Sequence, residues 1–239
     1  MGDKRRHATA VLLPAYQAGP HLLAIIDELR AAGSGPIVVV DDGSDPASGP
    51  VFDGAAERGC TVLRHPVNRG KGAALKTGFR HIAEAFPGHA VVCADADGQH
   101  SADEVRRVAA KVHETGRMTL GVRAFQRMPL RSKVGNTLTC LLFQAVTGRL
   151  VRDTQTGLRG YPAPMLGWLV SVPGERFEYE MNLLLEAARL GNPIEEVTIA
   201  TTYLDGNASS HFDVVADATR IYWPLLRFAA SSRRAVRVR

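Results

Sequence analysis

The strongest constraint on the fold is the alternation of two residue patterns along the first half of the chain. Short apolar or β-branched runs predict strands at residues 8–13, 37–40, 61–65, 90–94 and 118–122. Helical spacing of apolar residues predicts helices between them, at residues 21–31, 50–58, 72–85 and 103–114. Strands that are apolar throughout are buried on both faces, and strands that alternate with helices pair in parallel. The predicted fold class is therefore α/β, a Rossmann-like, mostly parallel sheet with helices on both of its faces.

The second half of the chain is richer in helix. We expect helices at residues 130–150 and 178–190, a late strand at 194–202, and a C-terminal amphipathic helix that Pro224 bends. The first of these helices carries an apolar stripe, made of Val134, Leu138, Leu141, Leu142 and Val146. We expect this stripe to face the core, and a position near lipid is the alternative.

Positive charge is concentrated at the C-terminal end. The chain has 29 Lys and Arg against 24 Asp and Glu, which gives a net charge of +5. Six arginines and no acid lie from Arg220 to Arg239, so the rest of the chain is close to neutral. A protein that wraps nucleic acid would be basic over much more of its surface, and we expect no nucleic-acid partner. We divide the chain into one domain at residues 1–212 and an amphipathic helix with a basic tail at 213–239.

The C-terminal segment also suits a membrane surface. Tyr222 and Trp223 precede Arg233 and its basic neighbours, and aromatic residues beside basic ones bind the anionic interface of a bilayer. A terminal helix that packs on the core and ends in a solvated tail is the alternative. No apolar window reaches the ~20 residues of a spanning helix, and the apolar run near the N-terminus stops at Pro14. We expect a cytoplasmic protein that binds peripherally to the inner face of the cell membrane.

Acidic residues follow two of the predicted strands at the point where each strand ends. Asp41 and Asp42 follow the second strand, and Asp95 and Asp97 follow the fourth. Ligands of parallel sheets bind beyond these carboxyl ends. Side chains two residues apart on an extended chain point the same way, so Asp95 and Asp97 can share a divalent cation, Mg²⁺ or Mn²⁺, that bridges to a diphosphate. A turn capped by an Asp side chain is the alternative at residues 41–44.

A glycine-rich segment, residues 68–72, precedes the third predicted helix. Arg69 and Lys71 lie beside its glycines at a helix N-terminus, and such a site suits an anionic ligand. The segment is not a Walker A loop, because Gly72 stands where Ser or Thr is required. It is not a dinucleotide fingerprint either, because Leu75 replaces the third glycine.

The order of these clusters resembles that of family 2 glycosyltransferases, which have the GT-A fold. The likeness runs from Ala8 to His211 and is carried by Pro14-Ala15-Tyr16, VVVDDGS, NRGKGAAL, ADADGQH, DTQTGLRGY and FEYEMNLLLEA. Within the family the chain is most similar to polyprenyl-phosphate sugar transferases such as dolichyl-phosphate mannose synthase. It contains no QxxRW segment, which argues against a processive polysaccharide synthase.

The resemblance implies a role for each cluster. The residues implied to bind the nucleotide sugar are Pro14, Ala15, Tyr16, Asp41, Asp42, Asp95 and Ala96. The residues implied to hold a divalent metal on the diphosphate are Asp97 and Gln99. The residues implied to meet the phosphate of the acceptor are Arg123, Arg131 and Ser132. Asp153 matches the acidic residue near the attacking oxygen, and together with Asp97 it makes the implied catalytic pair.

Two departures from the family pattern bear on these roles. Gln17 and Ala18 stand where the family has Asn and Glu, which removes one carboxylate from the nucleotide side. The late segment 203–211 has His211 and no Lys, where the family often carries Arg and Lys that reach the diphosphate. Either the leaving group is stabilised differently or the donor differs.

These features predict an inverting, metal-dependent transfer of a hexose from a nucleotide sugar, UDP-glucose or GDP-mannose, to polyprenyl phosphate. The acceptor phosphate is already anionic at neutral pH, so Asp153 is expected to orient groups rather than to remove a proton. The alternatives are a family 2 enzyme with a saccharide or small-molecule acceptor and a non-catalytic module that binds a nucleotide sugar. The sequence leaves open the base, the hexose, the lipid and which of Asp41 and Asp42 contacts the nucleotide.

Overall fold

The computed structural model describes residues 8–124, 130–200 and 223–229. The strands are β1 (Thr9–Ala15), β2 (Ile37–Asp41), β3 (Thr61–Arg64), β4 (Ala90–Cys93), β5 (Met118–Arg123), β6 (Arg159–Tyr161) and β7 (Ile194–Ile199). The helices are α1 (Pro20–Ala31), α2 (Gly49–Glu57), α3 (Lys71–Ala85), α4 (Ala102–Thr115), α5 (Leu130–Thr147), α6 (Leu166–Ser171) and α7 (Glu178–Arg189). Every predicted strand and helix that lies in the described ranges is present within a few residues of its expected bounds.

The seven strands form one sheet in the order β3-β2-β1-β4-β6-β5-β7. All pairs are parallel except those of β6, which runs antiparallel between β4 and β5. The mostly parallel sheet is therefore confirmed. The sequence did not predict β6, because this strand has only three residues and begins with a buried arginine, Arg159. The order places the carboxyl ends of β1, β2 and β4 side by side.

Two apolar cores cover the two faces of the sheet, as predicted. Strand β2 shows the division, since Val38 and Val40 belong to one core and Ile37 and Val39 to the other. Helices α3, α5, α6 and α7 contribute side chains to the first core, and α1, α2 and α4 to the second. Because β2 is buried on both faces, its carboxyl end is the part of the strand that carries polar chemistry.

The prediction that the apolar stripe of α5 faces the core holds for only two of its five residues. Val134, Leu138 and Leu141 are 66%, 46% and 59% exposed, whereas the other two stripe residues, Leu142 and Val146, are partly buried and pack against the first core. The side that packs inward carries the fully buried Phe143 and the polar Asn136, because α5 lies against the polar loop that follows it. Helical spacing alone does not distinguish these two faces.

The C-terminal region is described only in part. Residues 223–229 are helical, Leu225 is buried and Phe228 packs against the first core. Trp223 and Leu226 are exposed. The rest of the predicted amphipathic helix, the basic tail and the boundary between residues 212 and 213 lie outside the described residues. Among the described helices, none combines the length and the hydrophobicity that crossing a bilayer requires.

Candidate active site

The residues predicted to bind a nucleotide sugar come together at one edge of the sheet. Ala15 is in register with Asp41 on the neighbouring strand, and the N–H of Asp42 donates to the carbonyl of Ala15 at 2.8 Å. Strand β4 pairs with the other side of β1 and leads into Asp95. The members of this edge are Pro14, Ala15, Tyr16, Asp41, Asp42, Asp95 and Ala96. Their grouping follows from parallel pairing, which aligns the carboxyl ends of strands that are distant in sequence.

The carboxylate of Asp42 is occupied by the glycine-rich loop. Its Oδ1 accepts the N–H of Arg69 at 3.0 Å, and its Oδ2 accepts that of Gly70 at 2.7 Å. His65 Nδ1 lies 2.7 Å from the same Oδ1, and its Nε2 lies 2.9 Å from the hydroxyl of Thr77. This buried chain holds the loop against β2. Sequence reasoning did not find His65, since nothing in its spacing links it to Asp42.

Asp41 and Gln17 join the loops that follow β1 and β2. Asp41 Oδ1 accepts the N–H of Ser44 at 2.9 Å, which is the capped turn that the sequence left as an alternative. Gln17 has a left-handed backbone, with φ of 52°, and its N–H donates to the hydroxyl of Ser44 at 2.8 Å. Its side-chain amide donates to Asp45 at 2.7 Å and accepts from Ser48 at 3.2 Å. The departure at Gln17 therefore has a structural use, since the side chain ties two loops together.

Lys71 bridges two acids at the centre of the site. Its Nζ lies 2.7 Å from Asp95 Oδ1 and 2.9 Å from Glu180 Oε2, and Glu180 in turn lies 3.6 Å from Arg159 Nε. Burial disfavours the ammonium ion, but the attraction of Asp95 and Glu180 outweighs burial and raises the pKa of Lys71. Burial likewise disfavours the ionised Asp95, but the attraction of Lys71 and His100 outweighs it and lowers the pKa of Asp95. The sequence indicated Lys71 as a candidate for an anionic ligand and did not indicate these partners.

The glycines beside Lys71 allow the loop to pack closely on the start of α7. A Cβ at Gly70 would lie 2.5 Å from the carbonyl oxygen of Glu175, and one at Gly72 would lie 2.6 Å from Cβ of Tyr179. Gly70 also has a φ of +104°, which L side chains rarely adopt. The N–H of Ala73 donates to the same Glu175 carbonyl at 2.8 Å. These contacts fix the position of the Lys71 backbone, from which its side chain extends into the site.

Asp97 is the residue that the sequence predicts to hold a metal. Burial and the nearby negative charge of Asp95 raise the pKa of Asp97, against the N–H of Gln99 that donates to its Oδ1 at 3.1 Å. In the described ranges, no group of three or more His, Cys, Asp or Glu side chains is arranged around a metal position. Mg²⁺ in nucleotide sites is held by one or two carboxylates together with phosphate oxygens, and Asp97 fits that donor set.

Arg123 and Asp153 form a two-point ion pair. Arg123 Nε donates to Asp153 Oδ2 at 2.7 Å, and Nη2 donates to Oδ1 at 2.9 Å. The N–H of Gln155 donates to Oδ1 as well, at 3.1 Å, and Asp153 is 0% exposed. The predicted acceptor-binding arginine thus contacts the predicted catalytic aspartate. The backbone of Arg131 and Ser132 begins α5, and their side chains lie outside the described part of the structure.

Comparison with known proteins identifies the family. The model of the family described as glycosyl transferase family 2 matches residues 10–161, more than half of the chain. The chain is a family 2 glycosyltransferase. An uncharacterized protein of Methanocaldococcus jannaschii is 30% identical to it over 212 residues, which cover 86% of each chain. The UDP-N-acetylglucosamine–dolichyl-phosphate N-acetylglucosaminyltransferase of Methanococcus voltae is 26% identical over 237 residues, which cover 90% of this chain and 94% of the relative.

Solved structures confirm the GT-A fold of this family 2 glycosyltransferase. Glucosyl-3-phosphoglycerate synthase from Mycobacterium tuberculosis, solved with Mn²⁺, UDP and glucosyl-3-phosphoglycerate, superposes with a TM-score of 0.73. The likeness covers 93% of this chain and 80% of that one at 20% sequence identity. The same enzyme has been solved with Mg²⁺ and UDP. At this identity the likeness concerns the fold alone.

The glycosyltransferase assignment leaves the individual residue roles as predictions. Sequence reasoning found the strand-end acids and the Arg123 and Asp153 positions, and the structure groups them at one sheet edge and in one ion pair. It did not assign roles to Glu180 or to Arg159. Glu180 opens α7, where acids are common because of the helix dipole, so its contact with Lys71 gave no sequence signal.

Proposed function

We propose that this family 2 glycosyltransferase moves a hexose from a nucleotide sugar to a polyprenyl phosphate, with inversion and with a bound divalent metal. One observation carries the choice of acceptor. Helix α5 exposes Val134, Leu138 and Leu141 to solvent, while Asn136 on its inner side donates to the carbonyl of Arg152, next to Asp153. Helix α5 therefore has an apolar outer side, and its inner side contacts the loop that carries Asp153, the partner of Arg123. The dolichyl-phosphate transferase of Methanococcus voltae supports the same acceptor class.

On the donor side, we assign the nucleotide contact to Asp41 rather than Asp42. Both oxygens of Asp42 already accept main-chain N–H groups of the glycine-rich loop. Asp41 engages Oδ1 with Ser44, and its Oδ2 is assigned to a base N–H or a ribose hydroxyl. Tyr16, which is 39% exposed beside this edge, is proposed to contact the nucleotide together with Pro14 and Ala15.

Asp97 is proposed to hold the metal together with oxygens of the diphosphate, with Gln99 beside it. Bound there, Mg²⁺ or Mn²⁺ would stabilise the negative charge that develops on the departing nucleoside diphosphate. Both metals occur with UDP in the structures of the related fold. Asp97 fits this role because its carboxylate is partly buried and close to a second acid, so a cation relieves the repulsion.

On the acceptor side, Arg123 is proposed to bind the lipid phosphate while Asp153 orients its guanidinium. A phosphate monoester has a second pKa of about 6 and is largely a dianion at neutral pH, so the attacking oxygen requires no proton removal. A phosphate oxygen forms the new bond to the anomeric carbon as the bond to the diphosphate oxygen breaks. Attack in line with that bond inverts the anomeric centre. Arg131 and Ser132, at the start of α5, are proposed as further contacts to the phosphate.

The membrane surface is proposed to bind two parts of the enzyme. The chain has no charged residue between Lys133 and Arg149, so the outer side of α5 is uncharged over this stretch. Lys133 in the first turn and Arg149 just after the helix place a basic residue on each side of it. Basic residues at both ends suit anionic headgroups, and exposed leucines suit the acyl region just below them. We propose that the exposed Trp223 and the arginines that follow it in the sequence bind the same membrane surface.

Transfer of labelled sugar into organic-extractable lipid tests the proposal. Undecaprenyl phosphate and Mn²⁺ or Mg²⁺ are supplied with UDP-glucose, UDP-N-acetylglucosamine or GDP-mannose in parallel reactions. We expect label in the lipid phase with one of these donors and none with Asp97→Ala under the same conditions. Retained nucleotide binding in calorimetry without lipid labelling from any donor would contradict the lipid acceptor and support the saccharide or small-molecule acceptor.

A further inference from the structure

Lys71 is a cation that the chain itself places among the acids of the donor site. The glycine-rich loop is fixed to β2 through Asp42 and to the start of α7 through Gly70 and Gly72. From this fixed start the side chain of Lys71 is only 16% exposed and reaches both Asp95 and Glu180. Its position is therefore determined by main-chain packing on one side and by two carboxylates on the other.

The carboxylate of Asp95 lies between the ammonium group of Lys71 and the main chain of Gly157. One oxygen lies 2.7 Å from Lys71 Nζ, and a Cβ built at Gly157 would collide with the other side of the same carboxylate. Asp95 consequently has little room to turn. Only one residue separates Asp95 from Asp97, and the negative charge of each carboxylate repels the other.

We propose that Lys71 is a positioning residue that sets the charge of the donor site, so that metal and nucleotide bind together rather than the metal alone. This inference rests on the proposed role of Asp97 at the metal. Lys71 together with Arg159 offsets the negative charges of Asp95 and Glu180. An incoming divalent ion therefore meets an excess of one negative charge, that of Asp97, and without Lys71 it would meet an excess of two. The same ammonium attracts the anionic diphosphate. Lys71 thus disfavours a free metal ion and favours the nucleotide that brings it.

Opposite shifts in two affinities follow from this arrangement. Replacing Lys71 by Met removes one positive charge from a partly buried site, where charge interactions are screened less than in water. Mn²⁺ without nucleotide should then bind about tenfold more tightly, and UDP or GDP without metal about tenfold more weakly. A purely structural role would instead weaken both ligands, because a disordered site binds neither well.

Three variants and a control make the test. Mn²⁺ alone is titrated by electron paramagnetic resonance, and UDP and GDP alone are titrated by calorimetry. Lys71→Met should show the two opposite shifts, and Lys71→Arg, which retains the charge, should stay near the parent in both titrations. Lys111→Met is the matched control and should match the parent, because Lys111 pairs only with Glu114 in α4 among the ion pairs of the described residues. Glu180→Gln removes a negative charge and should shift both affinities in the directions opposite to Lys71→Met.

The outcomes separate this inference from the proposed function. If Lys71→Met weakens both ligands or changes neither, Lys71 does not set the charge of the site and the inference is overturned. If Lys71→Met does not fold, Glu180→Gln decides, since an unchanged or tightened Mn²⁺ affinity there overturns the inference too. A parent enzyme that binds neither Mn²⁺ nor nucleotide, alone or together, would overturn the donor site and this inference with it.

Discussion

The guanidinium of Arg123 and the carboxylate of Asp153 are joined by two parallel hydrogen bonds, Nε to Oδ2 at 2.7 Å and Nη2 to Oδ1 at 2.9 Å. Arg123 ends β5, and Asp153 lies in the loop after α5. Both oxygens of Asp153 are engaged, and the residue is fully buried. A carboxylate in this state is suited to hold an arginine in place and poorly suited to take up a proton from a substrate.

Asp153→Asn separates these two roles. The amide keeps the shape but presents one donor towards Arg123, so one of the two bonds is lost and the guanidinium is no longer fixed. We expect kcat/KM for the lipid phosphate to fall about a hundredfold, as for loss of a charge-assisted bond at an anion site. The parent rate is expected to rise with pH through the second ionisation of the acceptor phosphate, at about pH 6, and the variant should keep this rise. Profiles of kcat/KM against pH, from about pH 5 to about pH 9, test this. Loss of the rise in the variant would show that Asp153 acts as a base.

The raised pKa of Asp97 predicts that the site is destabilising without its metal. A carboxyl whose folded-state pKa is raised contributes stability that is fully present below its unfolded pKa, ~3.9, and lost as pH rises through the higher folded value. Asp97→Asn should therefore melt above the parent at pH 7 in EDTA, by roughly 1–4 °C, and the gain should disappear at about pH 4. Calorimetry at both pH values measures this.

Two further observations bear on the Asp97 prediction. Asp53→Asn serves as a control, because Asp53 is an exposed partner of Arg64 and should not gain stability at pH 7. Asp97→Asn should lose transfer activity while it gains stability. A lower melting temperature for Asp97→Asn at pH 7 would contradict the assigned direction of the pKa.

The outer side of α5 predicts a specific loss of membrane binding. In Leu138→Glu/Leu141→Glu two exposed leucines become acids, which repel anionic lipid and no longer enter the acyl region. Binding to vesicles of mixed neutral and anionic phospholipid should fall about a hundredfold in co-sedimentation. Leu190→Glu changes a comparably exposed leucine at the end of α7 and should bind like the parent. Equal binding by all three proteins would show that α5 does not contact the membrane.

Gly157→Ala should damage the donor site through Asp95. The added methyl group would collide with the Asp95 carboxylate, and overpacking of this kind costs about 1–3 kcal/mol of the free energy of unfolding. Displacement of Asp95 should also weaken UDP or GDP binding in calorimetry. At Gly167, in α6, no heavy atom of the described residues lies within 4 Å of a Cβ position. Gly167→Ala should leave nucleotide binding unchanged and stabilise by up to about 1 kcal/mol, so a similar effect of both substitutions would refute the steric argument.

The sequence alone determined the layout of the fold and the edge at which the chemistry lies. Apolar strands such as β2 alternate with amphipathic helices, and this pattern has one common solution, a mostly parallel sheet covered on both faces. Acids that directly follow the predicted strands, such as Asp41 and Asp95, must then lie at the carboxyl edge, wherever the strands occur in the sequence. These inferences succeed because they depend on local periodicity and on the geometry of strand pairing.

Only the tertiary structure decided what each side chain contacts. The separate roles of Asp42 and Asp41, the bridge from Lys71 to Glu180 and the pairing of Arg123 with Asp153 join residues that are far apart in the chain. The same holds for α5, whose Val134, Leu138 and Leu141 face outward because a polar loop lies against the inner side of the helix. Periodicity reports that a helix has two faces, but which face is buried depends on what the rest of the chain places against it.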